Sequence, residues 1–373
     1  MINRDIISLL HSDLDSGKIL VVLGPRQTGK TTVLNMLEES AVDVYRLNCD
    51  DYDDAAMITH RTSTELKQLA DGHRWLMIDE AQRVEDIGMT LKMLADLHMP
   101  VQIVVTGSSS LELANKINEP ATGRIFEYTL FPLSVHELVR HTDKRQEQRL
   151  LNNRLVYGFY PEVVTHPADA KRILMQIANS YLCKDLLGYQ GIKRPELLQK
   201  LVRALALQMG SEVSCNELGK LLGADKGTIE AYIRLLEQCF VIFRLESLSR
   251  NMRNEIKRGK KIYFYDNGIR NALINNFAPP ELRTDMGALW ENMMISERIK
   301  RNARLRRYAF MYFWRTVEQQ EIDLIEEEDG TLASFEFKWN TNKKAKQPLA
   351  FAKNYPDTLF QCVTPANYMD FVL

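Results

Sequence analysis

Short apolar runs recur along the first third of the chain: KILVVLG at 18–24, VDVYRLN at 42–48, RWLMID at 74–79 and VQIVVTG at 101–107, with segments of helical character between them. Continuous apolar runs of this length predict strands buried on both faces, and their alternation with helices predicts a parallel α/β sheet. After FPLSVHEL at 131–138 the periodicity turns helical and stays so to about residue 240, where the single sheet has already ended. Within that stretch, 201–210, 214–223 and 225–242 read as three short helices. Ser214 and Glu217 have capping-box spacing, and Ile229, Ile233, Leu236 and Phe240 recur on one helical face.

From about 263 the pattern is mixed. KIYFYD reads as a strand and GALWENMMISERIKRNARLRR as a helix, with YAFMYFW, EIDLIEE and LASFEFKW as further strands. In FEFKW, 335–339, side chains alternate, so Phe335, Phe337 and Trp339 face a core while Glu336 and Lys338 share the opposite face. The EDG turn folds the strand carrying Asp323 back as a hairpin, which brings Asp323 beside Glu336.

Composition narrows the class. At 373 residues, 45% apolar and 26% charged, the chain has room for two or three domains, each with its own core. The formal charge of −1 gives no global basic field, so nucleic acid or acidic lipid would be met only by local patches. Cys49, Cys183, Cys215, Cys239 and Cys362 form no CxxC pair, which argues against a zinc site or disulfide framework and for a reducing, cytoplasmic home. No stretch approaches the roughly 18 apolar residues of a membrane span, so neither a signal peptide nor an anchor is expected.

Candidate chemistry begins at GPRQTGKTT, 24–32, which fits GxxxxGK[ST] directly after an apolar strand and before a helix. Gly24 and Gly29 permit the tight turn, and the backbone of Pro25, Arg26, Gln27 and Thr28 with Thr32 completes a phosphate cradle. Lys30 would reach the β- and γ-phosphates of ATP, and Thr31 would ligate Mg²⁺. WLMIDE ends a second strand in Asp79, placed to hold Mg²⁺, followed by Glu80, the candidate for polarising an attacking water. A helix cap would explain either acid alone, less so both. Thr106 and Ser108, at the end of a further strand, could sense the γ-phosphate or simply make a strand-to-helix turn. Arg124 is a candidate arginine finger, in cis or from a neighbouring subunit of a homo-oligomer, with a structural arginine as the alternative.

GPRQTGKTT, LMIDEAQ, VTGSSS, GRIFEYTLFPLSVHEL, YGFYPEVV, YLCKDLL and KKIYFYDNGIRNAL, in that order, resemble the bacterial and archaeal AAA-type P-loop ATPases that carry a C-terminal domain of unassigned function. The resemblance covers essentially the whole chain. It implies a P-loop NTPase parallel sheet over 1–130, a helical lid or connector over 131–195 and a winged helix over 196–262. For 263–373 it implies an α/β domain similar to restriction-endonuclease-like nucleases.

Asp323 followed by Glu336-x-Lys338 resembles the PD-(D/E)XK nuclease motif, in which Asp323 and Glu336 would bind a divalent ion and Lys338 would activate water; Glu291 supplies the upstream helical acid. Ile322 stands where the strict motif has proline. A cross-strand salt bridge in an inactive fold would leave the same letters. Two basic stretches could meet DNA phosphates, 250–261 and 298–307, each with six Lys or Arg; solvated loops or faces are the alternative. The expectation is a Mg²⁺-dependent ATPase coupling nucleotide state to DNA binding or processing. Its rival is a nucleotide-gated switch that binds a protein partner and carries an inactive nuclease-like domain.

Overall fold

The computed structural model describes residues 1–108, 122–180, 194–248, 259–316, 318–342 and 345–373. The chain divides into two compact units, one formed by Met1–Pro132 with Gln238–Phe240, the other by Leu133–Glu237 with Val241–Leu373.

The first unit is built on β1 (Ile19–Leu23), β2 (Val44–Asn48), β3 (Trp75–Asp79), β4 (Gln102–Gly107) and β5 (Ile125–Thr129). They form a parallel sheet in the order β2-β3-β4-β1-β5. The strands predicted from apolar runs are β1 to β4. Both faces are covered: Ile19, Val21 and Leu23 enter one core, while Leu20 and Val22 enter another with Val33, Leu34 and Leu37 of the helix Lys30–Glu38. That division explains why β1 has no polar position. β5, which the apolar pattern did not reveal, is an edge strand with partly exposed residues. Because β1 lies between β4 and β5, the crevice at its carboxyl end is the fold's natural ligand position.

The second unit begins with short helices, among them Val135–His141, Leu151–Tyr157 and Ala170–Ser180. The helices Pro195–Leu207, Cys215–Leu222 and Lys226–Gln238 follow; the Ser214 hydroxyl accepts the Glu217 N–H at the start of the second, which ends at left-handed Gly223. Its sheet contains β6 (Glu212–Val213), β7 (Ile242–Ser247), β8 (Lys260–Phe264), β9 (Phe310–Arg315), β10 (Glu321–Glu328), β11 (Thr331–Phe337) and β12 (Leu359–Val363). The order is β12-β11-β10-β9-β7-β8-β6. The β7–β9 and β11–β12 pairs are parallel and the others antiparallel. β7 and β8, which fall at the end of the expected winged helix, are thus part of one continuous sheet, and the expected border at 262/263 falls inside β8.

β10 and β11 form the predicted hairpin, turning through Asp329 and Gly330 at φ 50° and 76°. The helix Met286–Arg304 packs on β8 and β11. It is fixed by Trp290 Nε1 donating to the Val363 carbonyl at 3.3 Å and Asn292 Oδ1 accepting the Phe264 N–H at 2.7 Å. Phe335 and Phe337 meet the ring of Phe371, and Trp339 meets Trp290, so the aromatic side of FEFKW is the core side as its alternation predicts. Among the described residues no helix is long and apolar enough to cross a membrane.

Candidate functional site

The residues 24–32 connect the carboxyl end of β1 to the helix Lys30–Glu38. A Cβ on Gly24 would lie 2.3 Å from the Leu130 carbonyl oxygen, so the loop can pass there only as glycine. Gly29 caps the helix at φ 93°, a backbone conformation open to glycine, and Gln27 is also left-handed at φ 60°. The Lys30 ammonium, 4% exposed, donates to the Gly24 and Pro25 carbonyls at 3.0 and 2.9 Å. Thr28 closes the turn by donating to Pro25 at 2.8 Å. Arg4, which no motif singled out, braces the loop through the Thr28 carbonyl at 2.5 Å and the Phe131 carbonyl at 2.6 Å.

The two acids of β3 sit in a network tied to β4. Thr106 donates to Asp79 Oδ1, and the same hydroxyl oxygen accepts the Glu80 N–H at 3.2 Å. Glu80 is left-handed at φ 54°, and Gln82 donates to its carboxylate while accepting the Ser108 N–H at 3.2 Å. Thr106 and Ser108 are both buried, so the sequence-predicted Asp79, Glu80, Thr106 and Ser108 do come together. Two partners were given no role from the sequence: Gln82, which ends the LMIDEAQ motif, and Arg46, whose Nη2 lies 3.2 Å from Asp79 Oδ2.

Arg124 stands elsewhere. It immediately precedes β5, its carbonyl accepts the Ile19 N–H at the start of β1, and its guanidinium pairs with Asp96 at 2.6 Å. The phosphate loop follows the other end of β1, a strand's length of about 15 Å away. Within one chain Arg124 is therefore not at this site, and the cis arginine-finger expectation is corrected.

These residues fit a Mg²⁺-bound nucleotide: a loop held open to phosphate by glycines, a buried lysine beside it, and a buried aspartate beyond it on β3.

The second unit holds the other predicted set. Asp323 lies where the β9–β10 register shifts between Ile322 and Ile325, and such a bulge re-aims side chains. The β10–β11 ladder ends at Leu324–Phe335, and the Asp323 carboxylate accepts the Phe337 N–H at 2.8 Å. Lys338 donates to Glu336. Glu291, on the helix, accepts the Tyr263 hydroxyl at 2.6 Å and meets Lys261 Nζ at 3.4 Å; Lys261 also pairs with Glu321. Lys261, Tyr263 and Glu321 were absent from the sequence-derived set; Lys261 had been counted only as one more charge in a basic stretch.

Burial pushes the Asp323 pKa up to about 7, with the Glu291 charge adding to it. Burial and then Asp323 push Glu336 up to about 6, and Glu291 is raised chiefly by burial. Burial opposes the Lys261 charge, but the Glu291 and Glu321 carboxylates outweigh it and hold the ammonium above its ordinary pKa. Glu291, Asp323, Glu336 and Lys338 thus lie within electrostatic reach of one another. Among the described residues, no three His, Cys, Asp or Glu side chains are placed together to hold a metal ion.

The basic stretch 298–307 is largely structural. Arg298 makes a bidentate pair with Glu326 at 2.9 and 2.6 Å, Lys300 pairs with Glu297 at 2.7 Å, and Arg307 pairs with Glu328. Arg298 and Lys300 are buried, so this segment is not a continuous phosphate-tracking face. Most of the stretch 250–261, and YLCKDLL at 181–187, lie outside the described residues.

The order β2-β3-β4-β1-β5, the glycine loop after β1 and the acid pair after β3 are those of a P-loop NTPase fold. Residues 16–139 match the family described as an AAA domain, and 148–279 and 286–366 match two families each described as a domain of unknown function. An uncharacterized protein of Mycobacterium tuberculosis is 26% identical over 341 residues, 90% of this chain and 73% of its own. An uncharacterized protein of Haemophilus influenzae is 24% identical over 286 residues, 70% of each chain. Among solved structures, the Walker-type ATPase of Pyrococcus abyssi shares the fold with a TM-score of 0.50 at 14% identity, covering 73% of this chain and 96% of that one.

Proposed function

We propose that this chain hydrolyses ATP with Mg²⁺ at the loop between β1 and its helix, and that nucleotide state governs what the second unit binds. The observation that carries the reading is the Asp79–Thr106–Glu80 network beside a phosphate loop that tolerates only glycine at position 24. Backbone N–H groups of 24–32 would hold the phosphates, and Lys30 would neutralise charge on the β- and γ-oxygens. Mg²⁺, held through Thr31 and Asp79, supplies charge neutralisation of the triphosphate. Glu80, fixed by Gln82, would polarise the attacking water, with Thr106 coupling the two acids. A contribution from Arg124 requires a neighbouring copy, and light scattering with ATP that found only monomer would remove it.

DNA is the proposed partner of the second unit. The order helix, β6, two helices, then antiparallel β7 and β8 supports reading 196–262 as a winged helix, and the meeting of Glu291, Asp323, Glu336 and Lys338 supports a nuclease-like frame over 263–373. The rival reading, a nucleotide-gated switch with an inactive nuclease-like domain and a protein partner, is favoured by the internal pairing of those acids. Phosphate release with Mg²⁺ and ATP, without and with duplex DNA, separates the two. Turnover stimulated by DNA supports the coupled reading; turnover indifferent to DNA supports the switch; nucleotide binding without turnover removes the hydrolase.

A further inference from the structure

The cluster in the second unit carries its own cation. Lys261 is 3% exposed, and its β8 neighbours across the sheet are Leu245 on β7 and Glu212 on β6. Its ammonium pairs with Glu291 from the helix and Glu321 from β10, and lies 5.4 Å from the Phe313 ring. The Glu291 oxygen that meets Lys261 is the one that accepts the Tyr263 hydroxyl. Asp323 is taken up by the Phe337 N–H, and Glu336 by Lys338.

A divalent ion needs several oxygens at roughly 2.0–2.6 Å and a net negative cage. Here one oxygen of each of Glu291, Glu321, Asp323 and Glu336 already has a partner, and an ion shared by Glu291 and Asp323 would stand against a buried ammonium. Removing water from both would strengthen that repulsion. A lysine 30 residues upstream of Glu291, in a stretch counted only as basic, has thus been folded into the acids.

We propose that the Lys261 ammonium is the built-in counter-cation of the Glu291–Glu321–Asp323–Glu336 cluster, so that this site takes up no divalent ion and cleaves no phosphodiester. The inference concerns the cluster's charge and stands whether or not the second unit meets DNA.

The test is Mn²⁺ binding to the full chain, followed by electron paramagnetic resonance at neutral pH without nucleotide. Wild type and Asp323→Asn should bind Mn²⁺ alike, because any ion held belongs to the phosphate-loop site. Folded Lys261→Met should gain one further equivalent that Lys261→Met with Asp323→Asn loses. A tenfold or greater loss of Mn²⁺ affinity in Asp323→Asn alone would overturn the proposal. So would Mn²⁺-dependent nicking of supercoiled DNA abolished by that substitution, or a folded Lys261→Met that gains no ion. If Lys261→Met does not fold, the comparison of wild type with Asp323→Asn decides.

Discussion

Asp323→Asn should stabilise the second unit, against the usual effect of removing a buried, hydrogen-bonded carboxylate. Burial and the Glu291 charge raise the Asp323 pKa from its usual 3.8 to about 7. A raised acid pKa means that the folded chain holds a proton the unfolded chain releases. The penalty therefore appears as pH climbs through about 4, grows until about 7, and is constant above. Three pH units at about 1.4 kcal/mol each give about 4 kcal/mol as the upper bound.

Asparagine has no charge to desolvate and keeps an oxygen for the Phe337 N–H, but it loses the attraction of Lys261 and Lys338, so about 1–2 kcal/mol is the expected gain at pH 8. For a unit of this size that is a rise of about 2–8 °C in Tm, vanishing near pH 4. Urea and thermal unfolding followed by tryptophan fluorescence suit the measurement, because Trp290, Trp314 and Trp339 lie in the second unit and Trp75 alone in the first. Equal or lower stability than wild type at pH 8, with no gain relative to pH 5, would refute the reasoning and make Asp323 a favourably ionised carboxylate.

Gly24→Ala should weaken ATP binding at least tenfold, read by fluorescent-nucleotide titration, because its Cβ meets the Leu130 carbonyl backbone; unchanged affinity would contradict the loop geometry. Arg298→Ala leaves Glu326 buried without its bidentate partner and should cost about 3–5 kcal/mol in urea unfolding, whereas a loss under 1 kcal/mol would mean that the pair is solvated. Arg124→Ala should leave nucleotide affinity unchanged, since the residue stands a strand's length from the loop; a large loss of affinity in a monomer would contradict its placement.

What the sequence made legible follows from what burial does to letters. β1, β3 and β4 are buried almost throughout, so they appear as unbroken apolar runs. β5 and β12 are edge strands with partly exposed residues, IFEYT and LFQCV, and their mixed letters resemble loop. The phosphate loop was legible because its chemistry is local in sequence. Arg4, Arg46 and Gln82 were not, since their roles depend on contacts that no spacing encodes. The same limit misled the reading of 298–307: six basic residues in ten suggest a surface, but Arg298 and Lys300 turn inward to Glu326 and Glu297. The acid–lysine set was found from strand alternation and a hairpin turn, while Lys261, which changes its meaning, entered from another strand of the sheet.

Steady-state phosphate release from Mg²⁺-ATP by wild type, Lys30→Ala and Glu80→Gln tests the central claim most directly. The account predicts turnover in wild type, loss of both nucleotide binding and turnover in Lys30→Ala, and retained binding with turnover reduced at least a hundredfold in Glu80→Gln. Turnover that survives Glu80→Gln, or wild type that binds ATP and releases no phosphate, would contradict it.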